Sequence, residues 1–464
     1  MLRDVLPHHL EALRALLGDD AVRADDASRE RYGRDETENL NFPPAAAVLP
    51  RDRAQVEAML RYACAERLAV TPRGAGTGLS GGALPVTGGL ALSLERMDRV
   101  LAIDPRNLVA RAEAGVTTAE LQRQVEEIGL FYPPDPASRE TCTLGGNLAE
   151  DSAGPRSCKY GTTRAWVLGL EAVLADGTPI STGGANRKDK SGYNLTQLLV
   201  GSEGTLAVIT AATLRLTARP RATMTLVLPF PTLESAAAAV EALFREGHDP
   251  AACELLEEAA LTAVGATVPL PQALQGAAAM LLVELHGGEQ DALLERAAPL
   301  ADLARRLGGG EVLASQDAAE ERRLWQIRRK VGEAVKHVSA YKEADTVVPR
   351  AALADLVRAA RAIAAECGLR AICYGHAGDG NLHVNLLRGD LDEPTWIARR
   401  DRAEEQLFRA VVALGGKITG EHGVGWTQRR YLPLAVDPPS ISMMRAIKAA
   451  FDPFGVLNPG KIFP

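Results

Sequence analysis

One stretch constrains this chain more than any other: Pro72-Arg-Gly-Ala-Gly-Thr-Gly-Leu-Ser-Gly-Gly-Ala-Leu-Pro85. Gly76, Gly78 and Gly81 fall there at the spacing G-x-G-x-x-G, behind a β-prone run at residues 68–71. That spacing serves a Rossmann dinucleotide site only where a helix starts on the glycines and turns its N-terminus to the pyrophosphate. Here Pro85, Gly88 and Gly89 follow, and then another β-prone run at residues 91–97. The missing helix argues against an NAD Rossmann domain. The chemistry still suits phosphate, because successive glycine amides without Cβ atoms form an anion-binding nest, with Thr77 and Ser80 as added donors. Taken alone, the loop also reads as a glycine-rich turn without a ligand.

Two further loops repeat the theme. Residues 134–149, PDPASRETCTLGGNLA, set Gly145 and Gly146 beside Ser138, Thr143 and Asn147. A third, Gly201-Ser-Glu203-Gly204, follows an apolar run and leads into the strand-like AVIT. Residue 200 is Val, so Ser202 lacks the first glycine of a nucleophile elbow and a serine hydrolase loses its anchor.

Composition narrows the class. The formal net charge of −7 demotes a nucleic-acid binder that relies on phosphate attraction. The six cysteines (Cys64, Cys142, Cys158, Cys253, Cys367, Cys373) are scattered without a CxxC pair. Iron–sulfur and zinc-ribbon spacings are therefore missing, and the thiols read as buried, reduced side chains of a cytoplasmic protein. The first twenty residues mix charge with apolar positions at helical spacing and read as a helix rather than a signal peptide. No run approaches the ~18 apolar residues of a spanning helix.

At 464 residues, a prior of ~150 per domain gives about three units. Residues 1–40 read as a helical extension. Short β-rich runs fill 41–219, with helices at 53–67 and 118–129, and Arg219-Pro220-Arg221 marks a boundary. Residues 220–415 alternate strands (MTLVLPF, MLLVELHG, AICYGH) with Ala-rich helices at 233–247, 292–307 and 351–367. The fold class is α+β. A glycine-rich tail covers 416–464.

An independent chemical signal lies at 371–387, AICYGHAGDGNLHVNLL, two β-prone runs around Asp379-Gly380, a favoured two-residue turn. That turn predicts His376 directly opposite His383 with Cβ atoms ~5 Å apart, and Tyr374 and Asn385 on the same face. Two such imidazoles chelate one divalent ion. Glu421, in TGEHGVG, is a candidate third ligand, and the set suits Zn²⁺, Fe²⁺ or Mn²⁺. A surface carboxylate is the other reading of Glu421. In extended backbone His422 points away from Glu421, and near neutrality its imidazole suits a general base for an alcohol proton. A hydrogen-bonded structural histidine is the alternative.

The ordered set PRGAGTGLSGG, PPDPAS…TLGGNLAEDSAG and GSEGTLAVIT resembles the PCMH-type FAD-binding domain of the vanillyl-alcohol oxidase superfamily. With HAGDGNLH and EHGVG, the match closes on the FAD-linked D-2-hydroxyacid dehydrogenase and oxidase branch: the glycolate oxidase flavin subunit, D-lactate and D-2-hydroxyglutarate dehydrogenases. It runs from about residue 35 to 463. The resemblance implies an FAD domain at 41–219, a substrate and metal-binding cap at 220–415, and a C-terminal segment that returns to the FAD domain.

By the same resemblance Arg73, Gly74, Gly76, Thr77, Gly78, Leu79, Ser80, Gly81 and Gly82 hold the FAD pyrophosphate. Pro134, Asp135, Pro136, Ser138, Thr143, Gly145, Gly146, Asn147, Ala149 and Gly154 line the rest of the dinucleotide. Gly201, Glu203, Gly204, Val208, Ile209 and, from the tail FDPFGVLNPGKIF, Asn458 complete it. A structural clasp is the other reading of that tail. No histidine stands in the three loops, which implies non-covalent FAD. His376, His383 and Glu421 become metal ligands, with Zn favoured over Mn or Fe, and His422 the catalytic base. Arg328, in LWQIR, and Asn385 become substrate residues, as does Lys342, where YKEAD departs from the YKYD of many relatives.

The implied reaction is oxidation of a small D-2-hydroxy acid to the 2-oxo acid. Electrons then leave to an iron–sulfur partner subunit, a quinone, a cytochrome or oxygen. A homodimer, and a cytoplasmic location with peripheral membrane contact through a partner, complete the expectation. A metal-dependent hydrolase, a non-catalytic flavin-binding subunit and an NAD-linked dehydrogenase remain the alternatives.

Overall fold

The computed structural model describes residues 2–464, and the chain divides into two compact units. The first takes the residues up to Ala153, Thr162–Arg219 and Glu421–Pro464; the second takes Gly154–Gly161 and Pro220–Gly420. The N-terminal stretch and the glycine-rich tail from Glu421 onward thus both belong to the first unit, while residues 416–420 stay with the second.

In the first unit, the helix Arg53–Glu66 starts where Asp52 accepts the Gln55 amide. Val56, Met59, Leu60 and Ala63 recur at i, i+3, i+4 and i+7, so one face is apolar, and all four are buried. They pack with Leu13 and Leu17 of the helix Pro7–Leu17 and with Val48, Val70, Leu90 and Leu92. Each large member of this core contributes about 2 kcal/mol on burial. The strands beneath run in the order Val22–Arg23, Ala46–Val48, Leu90–Ser93, Val70–Arg73, the last three mutually parallel. The tail closes the open edge: Leu457 bridges Val70, the Val70 amide donates to Val456 O at 2.9 Å, and the Asn458 amide donates to Val70 O at 2.7 Å. As the glycine pattern predicts, the chain passes from Val70–Arg73 to Leu90–Ser93 without a helix.

A second, antiparallel sheet follows in the order Val100–Asp104, Val109–Glu113, Val208–Arg215, Val167–Val173, Pro179–Gly183. One expected loop is different. Residues Leu144–Glu150 form a short helix. Gly145 is there for proximity, since a Cβ on it would stand 2.7 Å from Ala114 Cβ. Asn147 fastens the helix by donating from Nδ2 to Thr118 Oγ1 at 2.7 Å.

The second unit is built on a seven-stranded sheet in the order Leu313–Ala314, Ala222–Phe230, Ala279–Gly287, Ala252–Glu257, Arg370–Gly375, Asn381–Leu387, Tyr341–Val347. Every pairing is antiparallel. Consecutive residues of Ala279–Gly287 are buried, so both faces are covered; its first five residues are apolar, and the buried Glu284 and His286 pair with each other. The helix Ala318–Val338 is capped by Asp317, which accepts the Ala319 and Glu320 amides. Its buried face, Leu324, Ile327, Val331 and Val335, packs on Leu256, Met280, Leu282 and Ile372. Arg329, Lys330 and Lys336 are exposed, while Arg328 lies on the buried face.

The histidine hairpin differs from its predicted register by two residues. Tyr374 pairs with His383 and Ile372 with Asn385. The connection is longer than two residues because Ala377–Asp379 make a 3₁₀ turn and Gly380 closes it at φ +76°. His376 stands just past the strand end at φ −81°, ψ 73°, outside the ladder. All six cysteines are free thiols, and five are buried; Cys158 keeps partial exposure. No helix among the described residues is long and apolar enough to cross a membrane.

Candidate active site

The first unit contains a cleft of about 240 Å³, open at its mouth. The three glycine loops form its walls. From the first come Arg73, Gly74, Gly76, Thr77, Gly78, Leu79 and Gly82; from the second Pro136, Ser138, Thr143, Gly145, Gly146, Asn147 and Ala149; from the third Glu203, Gly204, Val208 and Ile209. Glu421 and His422 complete the lining. Ser80, Gly81, Pro134, Asp135, Gly201 and Asn458 stand outside the lining. Gly154 falls in the second unit.

The walls fit a dinucleotide. Thr143 Oγ1, in the lining, is a buried polar atom with no hydrogen-bond partner of its own. A Cβ on Gly78 would meet nothing within 4 Å, so bare backbone faces open space there. Arg73 behaves differently from the pyrophosphate ligand the resemblance implies. Its Nη1 donates to Tyr32 O and Arg34 O, both at 2.9 Å, and its guanidinium lies 5.3 Å from the Tyr32 ring centroid. Those contacts tie the loop to residues 32–34. Asn458 acts behind the wall, donating from Nδ2 to Gly82 O at 3.0 Å and to Glu203 O at 2.7 Å.

His422 Nε2 lies 3.6 Å from Glu421 Oε1, so the two side chains approach each other instead of diverging. Residues 421 and 422 lie in a bend, not in the extended backbone that divergence assumed.

In the second unit, the His376 and His383 rings stand 5.5 Å apart, edge to face, and both are buried. Each has a carboxylate at Nδ1: Glu254 Oε1 at 2.8 Å from His376 and Glu343 Oε1 at 3.6 Å from His383. At His376 the carboxylate is within hydrogen-bond distance, which fixes the tautomer and leaves Nε2 to face a ligand, the arrangement around metal-bound histidines; the longer contact at His383 is not a hydrogen bond. Arg328 donates from Nε to the other oxygen of Glu254, and its guanidinium lies 5.3 Å from the Tyr374 ring centroid. Burial pushes the Glu254 carboxyl up, but His376 and Arg328 outweigh it and hold it at about 2. Lys342 Nζ is 3.9 Å from Glu404. Asn385 is fully buried and donates to Ile372 O at 3.4 Å. Asp345 accepts from Thr419 Oγ1 at 2.7 Å and from the Gly420 amide at 2.8 Å, fastening the chain just before Glu421.

Sequence reasoning missed Glu254, Glu343 and Glu150. A signal was present for Glu254: an acid flanked by Ala252, Cys253, Leu255 and Leu256 must be paired once the strand is buried.

Known proteins resemble this chain along nearly its whole length. Residues 44–183 match the family "FAD binding domain", and residues 219–462 match "FAD linked oxidases, C-terminal domain". The chain belongs to the FAD-linked oxidases. Among curated members, it is 37% identical to glycolate oxidase subunit GlcD of Bacillus subtilis, over 98% of this chain and 96% of that protein. It is 39% identical to the D-lactate dehydrogenase of Archaeoglobus fulgidus, over 93% and 95%. With the D-2-hydroxyglutarate dehydrogenase of Stutzerimonas stutzeri it shares 34%, over 98% and 99%. The fold of this FAD-linked oxidase matches p-cresol methylhydroxylase, with TM-score 0.81 at 20% identity over 98% and 96% of the two chains. It also matches 4-ethylphenol oxidase of Gulosibacter chungangensis, with TM-score 0.80 at 20% identity over 100% and 99%.

Proposed function

We propose that this FAD-linked oxidase converts a small D-2-hydroxy acid, of the glycolate, D-lactate or D-2-hydroxyglutarate type, to its 2-oxo acid. One observation carries the reading: a cleft walled by three glycine loops also has Glu421 and His422 in its lining. The substrates in the relatives' names support the acid class. FAD, held without a covalent bond by the loop residues above, supplies the two-electron acceptor for the C2 hydride.

His422 takes the proton of the substrate hydroxyl on its imidazole. Arg328 and Lys342 bind the carboxylate, a task that suits the fork of a guanidinium, and Asn385 is a further substrate residue. His376, His383 and Glu421 are the residues for a divalent metal, zinc before manganese or iron, whose chemistry is that of a Lewis acid toward the hydroxyl. The ring separation of His376 and His383, with a carboxylate behind each, supports that assignment. Electrons then pass to an iron–sulfur partner subunit, a quinone or a cytochrome, in the cytoplasm or at the membrane surface through that partner.

The experiment is anaerobic mixing of the purified yellow protein with a panel of D- and L-2-hydroxy acids. Bleaching of the flavin by D-acids and not by their L-enantiomers is expected. Bound flavin that no acid bleaches overturns the assignment and leaves a non-catalytic flavin subunit.

A further inference from the structure

Two acids in the cleft wall have no task in the mechanism above. Glu203 is buried, and its carboxylate accepts two backbone amides of the turn that follows His422: Val424 N at 2.9 Å on Oε1 and Gly425 N at 2.7 Å on Oε2. Its own backbone is held from both sides, donating to Ala149 O at 2.8 Å and accepting from Asn458 Nδ2 at 2.7 Å. Glu203 also sits at φ +52°, a left-handed conformation that a residue with a Cβ adopts only when its surroundings enforce it. Glu150 lines the same cleft, and its Oε2 is buried with no hydrogen-bond partner. Both carboxyls press on Gly423: a Cβ there would strike Glu150 Oε2 and stand 3.0 Å from Glu203 Oε1.

We propose that Glu203 is a positioning residue for the oxidation, its carboxylate clamping the turn that carries Glu421 and His422, with Glu150 as the neighbouring acid that completes the clamp. The proposal rests on the assignment of His422 as the base. Two amides and two oxygens in bidentate contact fix the turn in direction as well as in place, and charge-assisted bonds of this kind are the stronger class. A second ionised carboxylate against the first would undo the clamp by repulsion. Burial, then Glu203, then Asp35 raise the Glu150 carboxyl well above its ordinary value, with Lys461 opposing, so Glu150 holds its proton more firmly than a free glutamic acid. Glu203 is raised as well, burial outweighing the Val424 and Gly425 amides and Lys461, and the amide on each of its two oxygens marks it as the acceptor of the pair.

The test uses the FAD-loaded protein and two readouts. In Glu203→Gln one acceptor oxygen becomes an amide group that donates, and one of the two amide bonds is lost. Hydrogen exchange at Val424 and Gly425 is expected to rise at least tenfold. The limiting rate of bleaching by the best D-acid should fall at least tenfold, with half-saturating acid, FAD content and dithionite reduction unchanged. Glu150→Gln, which copies the neutral acid in shape and charge, should leave exchange at Val424 and Gly425 and the flavin midpoint potential at wild-type values. If Glu203→Gln does not fold, Gly423→Ala, which drives a methyl between the two carboxyls, should raise the same exchange rates. Wild-type exchange in Glu203→Gln or in Gly423→Ala, or a shifted potential in Glu150→Gln, overturns the proposal. Loss of bleaching accompanied by equal loss of FAD in Glu203→Gln also overturns it, leaving a merely structural residue. Should no acid bleach the wild-type flavin, the proposed function fails, while the exchange arm still decides the clamp.

Discussion

His422 and Glu421 face the cleft with 3.6 Å between them, so removing the imidazole tests one role without touching the glycine loops. The variant His422→Ala is expected to keep its flavin spectrum and to lose about 10²–10⁴-fold in bleaching rate, the usual worth of a general base. Unchanged bleaching in a stopped-flow trace rejects the assignment. Buried ion pairs set a second expectation. Glu284 is held at about 2: burial pushes it up, but Arg156 and His286 outweigh that. Its carboxylate therefore binds a proton less readily folded than unfolded. The stability it lends is complete above its ordinary 4.5 and drains away as pH falls from there toward about 2. In Glu284→Gln, Arg156 loses its counter-charge, and the variant should unfold about 3 kcal/mol more easily at neutral pH and show a flatter acid limb, read by urea titration at each pH.

Among the elements, the hairpin around His376 shows what a linear pattern can and cannot reveal. Its two strands and the histidine pair were legible, because alternation and an Asp-Gly pair are local signals. The register was not, because Ala377–Asp379 wind into a 3₁₀ turn that no pairing rule anticipates. The imidazoles still meet, 5.5 Å apart, by way of His376 leaving the ladder. That geometry depends on Gly380, where a Cβ would collide with Val348 O at a φ of +76°. Gly380→Ala should therefore retain FAD and lose most bleaching by D-acids, with a drop of at least 1 kcal/mol in stability. Wild-type bleaching in that variant would show the turn to be uninvolved. The glycine loops were legible as phosphate chemistry, but Gly145 serves a helix packed on Ala114, and Arg73 turns from the cleft to residues 32–34. Both outcomes depend on what lies across the fold, which spacing along the chain does not encode.

For the whole molecule, every residue lining the cofactor cleft belongs to the first unit. Adding FAD to flavin-free protein should slow hydrogen exchange in the peptides at 72–83, 136–153 and 203–209, while the strand Ala279–Gly287 exchanges as before. FAD at a hundred times its Kd adds about 2.7 kcal/mol to the state that binds it. Among the described residues lining the cleft, His422 is the sole histidine, with no cysteine or tyrosine. Acid precipitation should release the yellow cofactor into the supernatant, and a yellow pellet would contradict non-covalent binding. The strap of Val456, Leu457 and Asn458 along Val70 has a consequence for how the chain is made. A ribosome delivers those residues only after every strand of the second unit has emerged. The cofactor-binding unit, begun first, is finished last, and a nascent chain released early carries a cleft whose third loop has lost Asn458 behind it.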